Sequence, residues 1–185
     1  METLSRLRKE HGDILHGLDC LSKARDALEK NRQPPKRFFE LAILFFREYA
    51  DKYHHYKEEF LLFSVLARNK NGEIDLEMGA LRYQHELNRD SIAKIEKSLN
   101  GYAMGNEIAV STLLLNLASF ITILKRHIYR EDHLFFPMAQ AELSGVEKKT
   151  LKDQFDREEA AADGESVVEK NRARLEEMAA LISSL

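Results

Sequence analysis

Two stretches of this chain carry nearly the same ten residues: HHYKEEFLLF starting at His54 and HIYREDHLFF starting at His127. In each, a glutamate follows the histidine by four positions, giving the pairs His54–Glu58 and His127–Glu131. On a helix, residues four apart share a face, so each pair aims an imidazole and a carboxylate the same way. The apolar residues around them turn that face inward. Burying a carboxylate is costly unless a partner offsets the charge. The adjacent bases, Lys57 and Arg130, are one position away and are expected to point off the inward face. Bound cations would resolve the conflict, with carboxylates and neutral imidazoles as ligands.

Two more histidines, His11 and His85, fall on inward apolar stripes. The candidate metal set is therefore His11, His54, Glu58, His85, His127 and Glu131. Cys20 is the only cysteine, so neither a thiolate cluster nor an intramolecular disulfide can form. Imidazole with carboxylate suits Fe, Mn, Zn or Co, and a carboxylate-bridged pair in a helical bundle suits two irons or two manganese ions. A six-coordinate pair takes about twelve ligand bonds. Four imidazoles, two bridging glutamates and a bridging oxo, hydroxo or water leave about two for a small ligand such as dioxygen, nitric oxide or peroxide. His16, His55 and His133 lie off the stripes and are expected to be solvated, although His55 adjoins His54 and has its own acid four residues on, Glu59. Glu59 and Asp132 are expected at the surface or as partners that orient an imidazole.

Positioning these groups takes long helices. Apolar spacing predicts four: Thr3 to Glu29, Pro34-Pro35 to about Ala67, an N-cap at Asp75 to about Leu99, and Glu107 to Leu143. Pro137 should kink the last or end its regular part. The links RNKNGEID and NGYAMGNE read as turns. His54 and His127 lie 73 residues apart; His11 and His85 lie 74 apart, as do Leu7 and Leu81. The first helix pair thus reads as a rough copy of the second, with four histidines around an approximate twofold axis. The expected fold is all-α, an up-down-up-down four-helix bundle over residues 1–143. Residues 144–185 add a C-terminal extension of two shorter helices around Gly164, packed outside the bundle and without chemistry of their own.

A chain of 185 residues suits one domain with a sizeable core, and 8 Gly with 3 Pro favours long helices over many turns. A net charge of -3 offers no global basic field to nucleic acid. The start, METLSRLRKEHGDILHG, has no apolar leader core, and the most apolar stretch, Ile108 to Leu124, is expected to be too short and too polar to span a membrane. The lone thiol fits a reducing cytoplasm.

At KEHGDIL around His11, HHYKEE at His54, QHELNR at His85 and HIYREDHLFFP at His127, the sequence resembles the hemerythrin family, in particular its bacterial and archaeal HHE cation-binding members. The resemblance covers about Leu4 to Leu143, and the LSGVEKKTLKDQF tail also resembles an extension common in these proteins. It implies a non-haem di-iron centre, oxo- or hydroxo-bridged and spanned by two carboxylates, with Mn or Zn as possible substitutes. Oxygen carriers of this family have H-x-x-x-H on the third helix; here the residue four after His85 is Arg89, so one imidazole is missing. Their last motif, H-x-x-x-x-D, would be met by Asp132, yet Glu131 has the better same-face spacing. These departures point away from a simple oxygen carrier, toward family members that sense iron or oxygen, handle nitric oxide or supply iron for repair. Arg89 is expected to reach the open side of the centre. The competing reading is a di-iron peroxidase, oxidase or repair enzyme; the E-x-x-H pairs of ferritin-like oxidases do not occur, only D-x-x-H at Asp13–His16 and Asp51–His54.

Overall fold

A computed structural model describes residues 1–69, 71–161 and 163–183. The described residues form a helical bundle without strands. Helix α1 is Glu2–Glu29 and buries the stripe Leu4, Leu7, His11, Ile14, Leu18 and Leu21. Pro34-Pro35 holds the chain extended ahead of α2, residues 36–66, which a 3₁₀ turn closes at Ala67–Asn69. Helix α3 is Gly72–Ala103, and Asn71 caps it, its side chain accepting from the Glu73 N–H. The helix therefore starts before Asp75, the expected cap, which instead lies in the first turn with Glu73 where acids favour the helix dipole. The expected stop near Leu99 also moves, because the helix runs on to Ala103 and Gly105, whose φ of 73° suits glycine, then turns the chain. Helix α4 is Glu107–Glu142. Helices α5, Gly145–Ala161, and α6, Gly164–Ser183, complete the chain. Of the expected RNKNGEID turn, Lys70 lies outside the described residues.

Both helices that carry the repeated motif change their winding there. Phe46–His55 and Lys57–Leu62 of α2, and Glu131–Phe135 of α4, are π-helical. Bonds of the i→i+5 type widen the turn, and such turns concentrate at functional sites. In α4 the wide turn ends just before Pro137, which opens the resumed α-helical segment Phe136–Glu142. Proline is tolerated in a first turn, where its missing N–H costs little. The same turn carries Leu134 outward to 43% exposure.

The core is two apolar clusters with a polar layer between them. One gathers Ile14, Leu18, Phe45, Phe46, Ile92 and Leu124; the other gathers Leu4, Leu7, Leu61, Leu81, Phe135 and Phe136. His11 lies in sequence between Leu7 and Ile14, and His85 between Leu81 and Ile92, so the histidine layer falls at the junction. Helix α1 meets α2 closely at Gly17, where an added Cβ would stand 2.8 Å from Phe45 Cε1. The C-terminal helices do more than cover the outside. Leu151 and Phe155 of α5 enter the second cluster, and Leu175, Met178 and Ile182 of α6 enter the first.

By length and composition α4 does pass for a membrane span, unlike the expectation from its first half. Here it buries Leu113, Leu117, Phe120 and Leu124 in the bundle and carries the fully buried His127 and Glu131.

Candidate metal centre

The inward face of α2 is two residues wide. Phe45/Phe46, Tyr49/Ala50, His54/His55, Lys57/Glu58 and Leu61/Leu62 are buried doublets. Most steps are three or four residues, but that from Tyr49/Ala50 to His54/His55 is five, which the π turn absorbs. His55, expected in solvent, is therefore 3% exposed and stacks on His85 at 3.8 Å between ring centroids. Lys57, expected to point outward, is buried too. The doublets were visible in the sequence; a single-row stripe could not register them. His16 and His133 are exposed, as expected.

All six expected residues converge, and His55 joins them. They fall into two groups whose candidate ligand atoms lie within 4.8 Å of one another: His55, Glu58, His85 and His127, and His11, His54, Glu58 and Glu131. The carboxylates link the groups. Glu58 Oε1 is 3.4 Å from His54 Nε2, and its Oε2 is 3.7 Å from His85 Nε2. Glu131 Oε1 is 3.1 Å from His127 Nε2, and its Oε2 is 3.2 Å from His11 Nε2. Nε2 of His11 and His54, both nitrogens of His55 and all four oxygens of Glu58 and Glu131 are buried without a hydrogen-bond partner among the described residues. Buried polar atoms are normally paired. So many orphans in one spot, all of types that ligate metals and none a fixed donor, fit a cation-binding centre.

The outer partners turn the Nε2 atoms inward, where those of His85 and His127 stand 3.0 Å apart. Nδ1 of His11 faces Asp132 at 3.0 Å, Nδ1 of His54 faces Glu10 at 2.8 Å, Nδ1 of His85 faces Glu59 at 2.6 Å and Nδ1 of His127 faces Gln84 at 3.0 Å. An acceptor at Nδ1 fixes the proton there and turns the Nε2 lone pair to the centre. The sequence repeat extends to these partners: Glu10 and Gln84 are 74 apart, and Glu59 and Asp132 are 73 apart. The twofold relation fails at His55, whose counterpart 73 residues on is Ile128. His55 thus stands in the histidine layer, where the third helix has Arg89 instead of a second imidazole. Arg89 presents no free cation, since it donates to Asp51, Glu59 and Glu86.

The groups differ electrostatically. Burial pushes the His54 imidazole down, but Glu58 and Glu10 together outweigh it and raise it to about 10. His11 is also raised, Asp132 and Glu131 prevailing over burial. Burial pushes the Glu131 carboxyl up, yet His127 and His11 hold it well below the usual range. Burial lowers His55; burial, then His55 and His127 beside it, push His85 well below an ordinary imidazole. One group is rich in ion pairs; in the other, His55 and His85 are held toward the neutral imidazole, the ligating form.

A buried charge chain ties the C-terminal extension to this layer. Lys57 Nζ donates to Glu10, the partner of His54, and to Glu159 of α5 at 3.1 Å, and it lies 3.8 Å from the Tyr53 ring centroid. The extension, expected to be without chemistry, thus helps hold a candidate ligand. Lys57→Met would strip the Glu10 carboxylate of its cation in a buried place. The expected cost is about 3–5 kcal/mol in denaturant unfolding. A loss of about 10–100-fold in metal affinity should accompany it as His54 loses its fixed orientation.

The model of the hemerythrin HHE cation-binding domain matches residues 2–139. Among curated proteins, the chain is 27% identical over 168 residues to uncharacterized protein Rv1995 of Mycobacterium tuberculosis, covering 89% of this chain and 65% of that protein. Uncharacterized protein Mb2018 of Mycobacterium bovis matches with the same identity and coverage. The chain therefore spans somewhat less than two thirds of the length of these relatives. No solved structure matches it significantly.

Proposed function

Because the chain belongs to the hemerythrin HHE cation-binding domain family, we propose that it is a non-haem di-iron protein that binds a small ligand for sensing, iron handling or stress response. The ligand would be dioxygen, nitric oxide or peroxide. The proposed frame is an up-down-up-down four-helix bundle over residues 1–143 with residues 144–185 as an extension. The observation that carries the reading is that Glu58 and Glu131 each reach an imidazole of both groups. His55, His85 and His127 would hold one ion, His11 and His54 the other, and the two glutamates would serve both. Iron would supply redox capacity and positions open to a small ligand. The protein's part is to fix the imidazoles through their Nδ1 partners, to hold the buried Glu131 carboxylate in its charged form and to exclude bulk water with the Phe135–Phe136 side of the core.

A di-iron enzyme is the alternative, and one observation favours it: a cavity of about 400 Å³ abuts His55 and His85, larger than a diatomic ligand needs. Metal analysis of the purified protein tests the main reading, with about two irons per chain expected. Optical bands that shift with azide or oxygen should accompany them. Zinc or manganese at the same stoichiometry would move the proposal off redox chemistry, and a protein that holds no metal would end it. Stopped-flow mixing with oxygen and hydrogen peroxide separates binding from turnover.

A further inference from the structure

The two halves of the molecule differ most on one side of the centre. His55, Asp51 and Asn88 occur there, whereas the residues at the repeat offsets are Ile128, Leu124 and Ile14. Those three are buried and apolar, so packing at these positions is met by apolar side chains in one half. The polar substitutes in the other half bring an unmet need. Asn88 is 3% exposed, and neither its amide oxygen nor its amide nitrogen has a hydrogen-bond partner among the described residues. An orphaned buried amide costs free energy; both atoms are sealed from the cavity in the unliganded chain, so a ligand recovers that cost by drawing the side chain round toward it.

Asn88, His55 and His85 line the cavity of about 400 Å³ that opens between α2, α3 and α4. Its remaining walls include Phe46, Ile92, Phe120 and Leu124, all buried and apolar. Two basic residues at the edge are already matched: Arg47 is paired with Glu96, and Arg89 with Asp51 and Glu59. The exposed Lys52 adds one further cation outside the apolar walls. The volume lies in the range of sites for small organic molecules. An amide offers one kind of donor and one kind of acceptor. A hydroxyl satisfies both, while a carboxylate would leave the amide oxygen facing negative charge.

We propose that this cavity binds a small neutral organic molecule with an apolar body and one hydroxyl group, seated with the hydroxyl on Asn88 beside His55 and His85. The proposal goes beyond the metal reading and rests on it only for what lies behind the two imidazoles.

Phenol, toluene and benzoate serve as probes, each titrated calorimetrically into the full chain, with and without metal. Phenol is expected to bind about tenfold more tightly than toluene, the worth of one well-made hydrogen bond. It should also bind more tightly than benzoate. Asn88→Ile, which copies Ile14 of the other half, should erase the preference for phenol while keeping toluene binding. Equal binding of phenol and toluene by the unaltered protein would overturn the proposal, as would tighter binding of benzoate, binding of none of the three, or a phenol preference that survives Asn88→Ile. The comparison within the unaltered protein decides the matter even if the variant misfolds. Metal content is assayed separately, so a protein that holds no metal but prefers phenol would end the di-iron reading and leave this one standing.

Discussion

Glu58→Ala is expected to empty both metal positions, while His55→Ile empties one. Glu58 stands 3.4 Å from His54 in one group and 3.7 Å from His85 in the other, so its loss withdraws an oxygen from each. Outer partners of metal ligands are typically worth about 10–100-fold in affinity, and a shared ligand should exceed the upper end of that range. The expected metal content of Glu58→Ala is therefore near zero after desalting, against about two ions for the unaltered chain. His55 serves only the group with His85 and His127, and isoleucine already occupies the corresponding place at Ile128. His55→Ile should keep about one ion per chain, held by His11, His54 and the two glutamates. Two ions retained in His55→Ile would remove His55 from the ligand set, and two retained in Glu58→Ala would refute a shared carboxylate. Metal analysis of the two variants side by side reads both outcomes.

Stripping the metal should lower the melting temperature by about 10 °C. An ion present at a thousand times its dissociation constant stabilises the folded state by about 4 kcal/mol. For a chain of this size each kcal/mol moves the midpoint by about 2–4 °C. The effect has a local cause: the orphaned nitrogens and carboxylate oxygens sit between the two apolar clusters, so the layer that joins them is the one the cation completes. Differential scanning calorimetry before and after chelation, with re-addition of iron, checks this. An unchanged midpoint would mean that the layer is satisfied without metal.

The helical frame was legible in the sequence because each helix buries one apolar stripe, and a stripe is written at a fixed period. At the spacing of one stripe α1 buries Leu4, Leu7, His11, Ile14, Leu18 and Leu21, with Leu15 only partly buried beside them, and α3 buries Met78, Leu81, His85, Ile92 and Ile95. Helix ends were less legible. The cap at Asn71 and the stop at Gly105 depend on backbone angles and single hydrogen bonds, which periodicity does not record. Glu59 and Asp132 were expected as possible partners of imidazoles, and both are. Glu10 and Gln84 were not foreseen, although the repeat offset of 74 would have paired them once one was known.

By itself the sequence determined an all-helical chain whose repeated motif points two imidazole–carboxylate pairs inward, because four-residue spacing and apolar surroundings leave those groups no other face. Tertiary structure decided everything that depends on how wide the buried face is. Helix α2 is enclosed on more than one side and wound with π turns, so His55 and Lys57 are carried in with His54 and Glu58. That turned a symmetric four-histidine layer into an asymmetric five-histidine one. It also joined α5 to the centre through Lys57 and Glu159 and left Asn88 in the wall of a cavity that its counterpart Ile14 does not line. The physical reason is that a side chain's fate is set by the number of helices packed around its own, and one strand of letters records only its own helix.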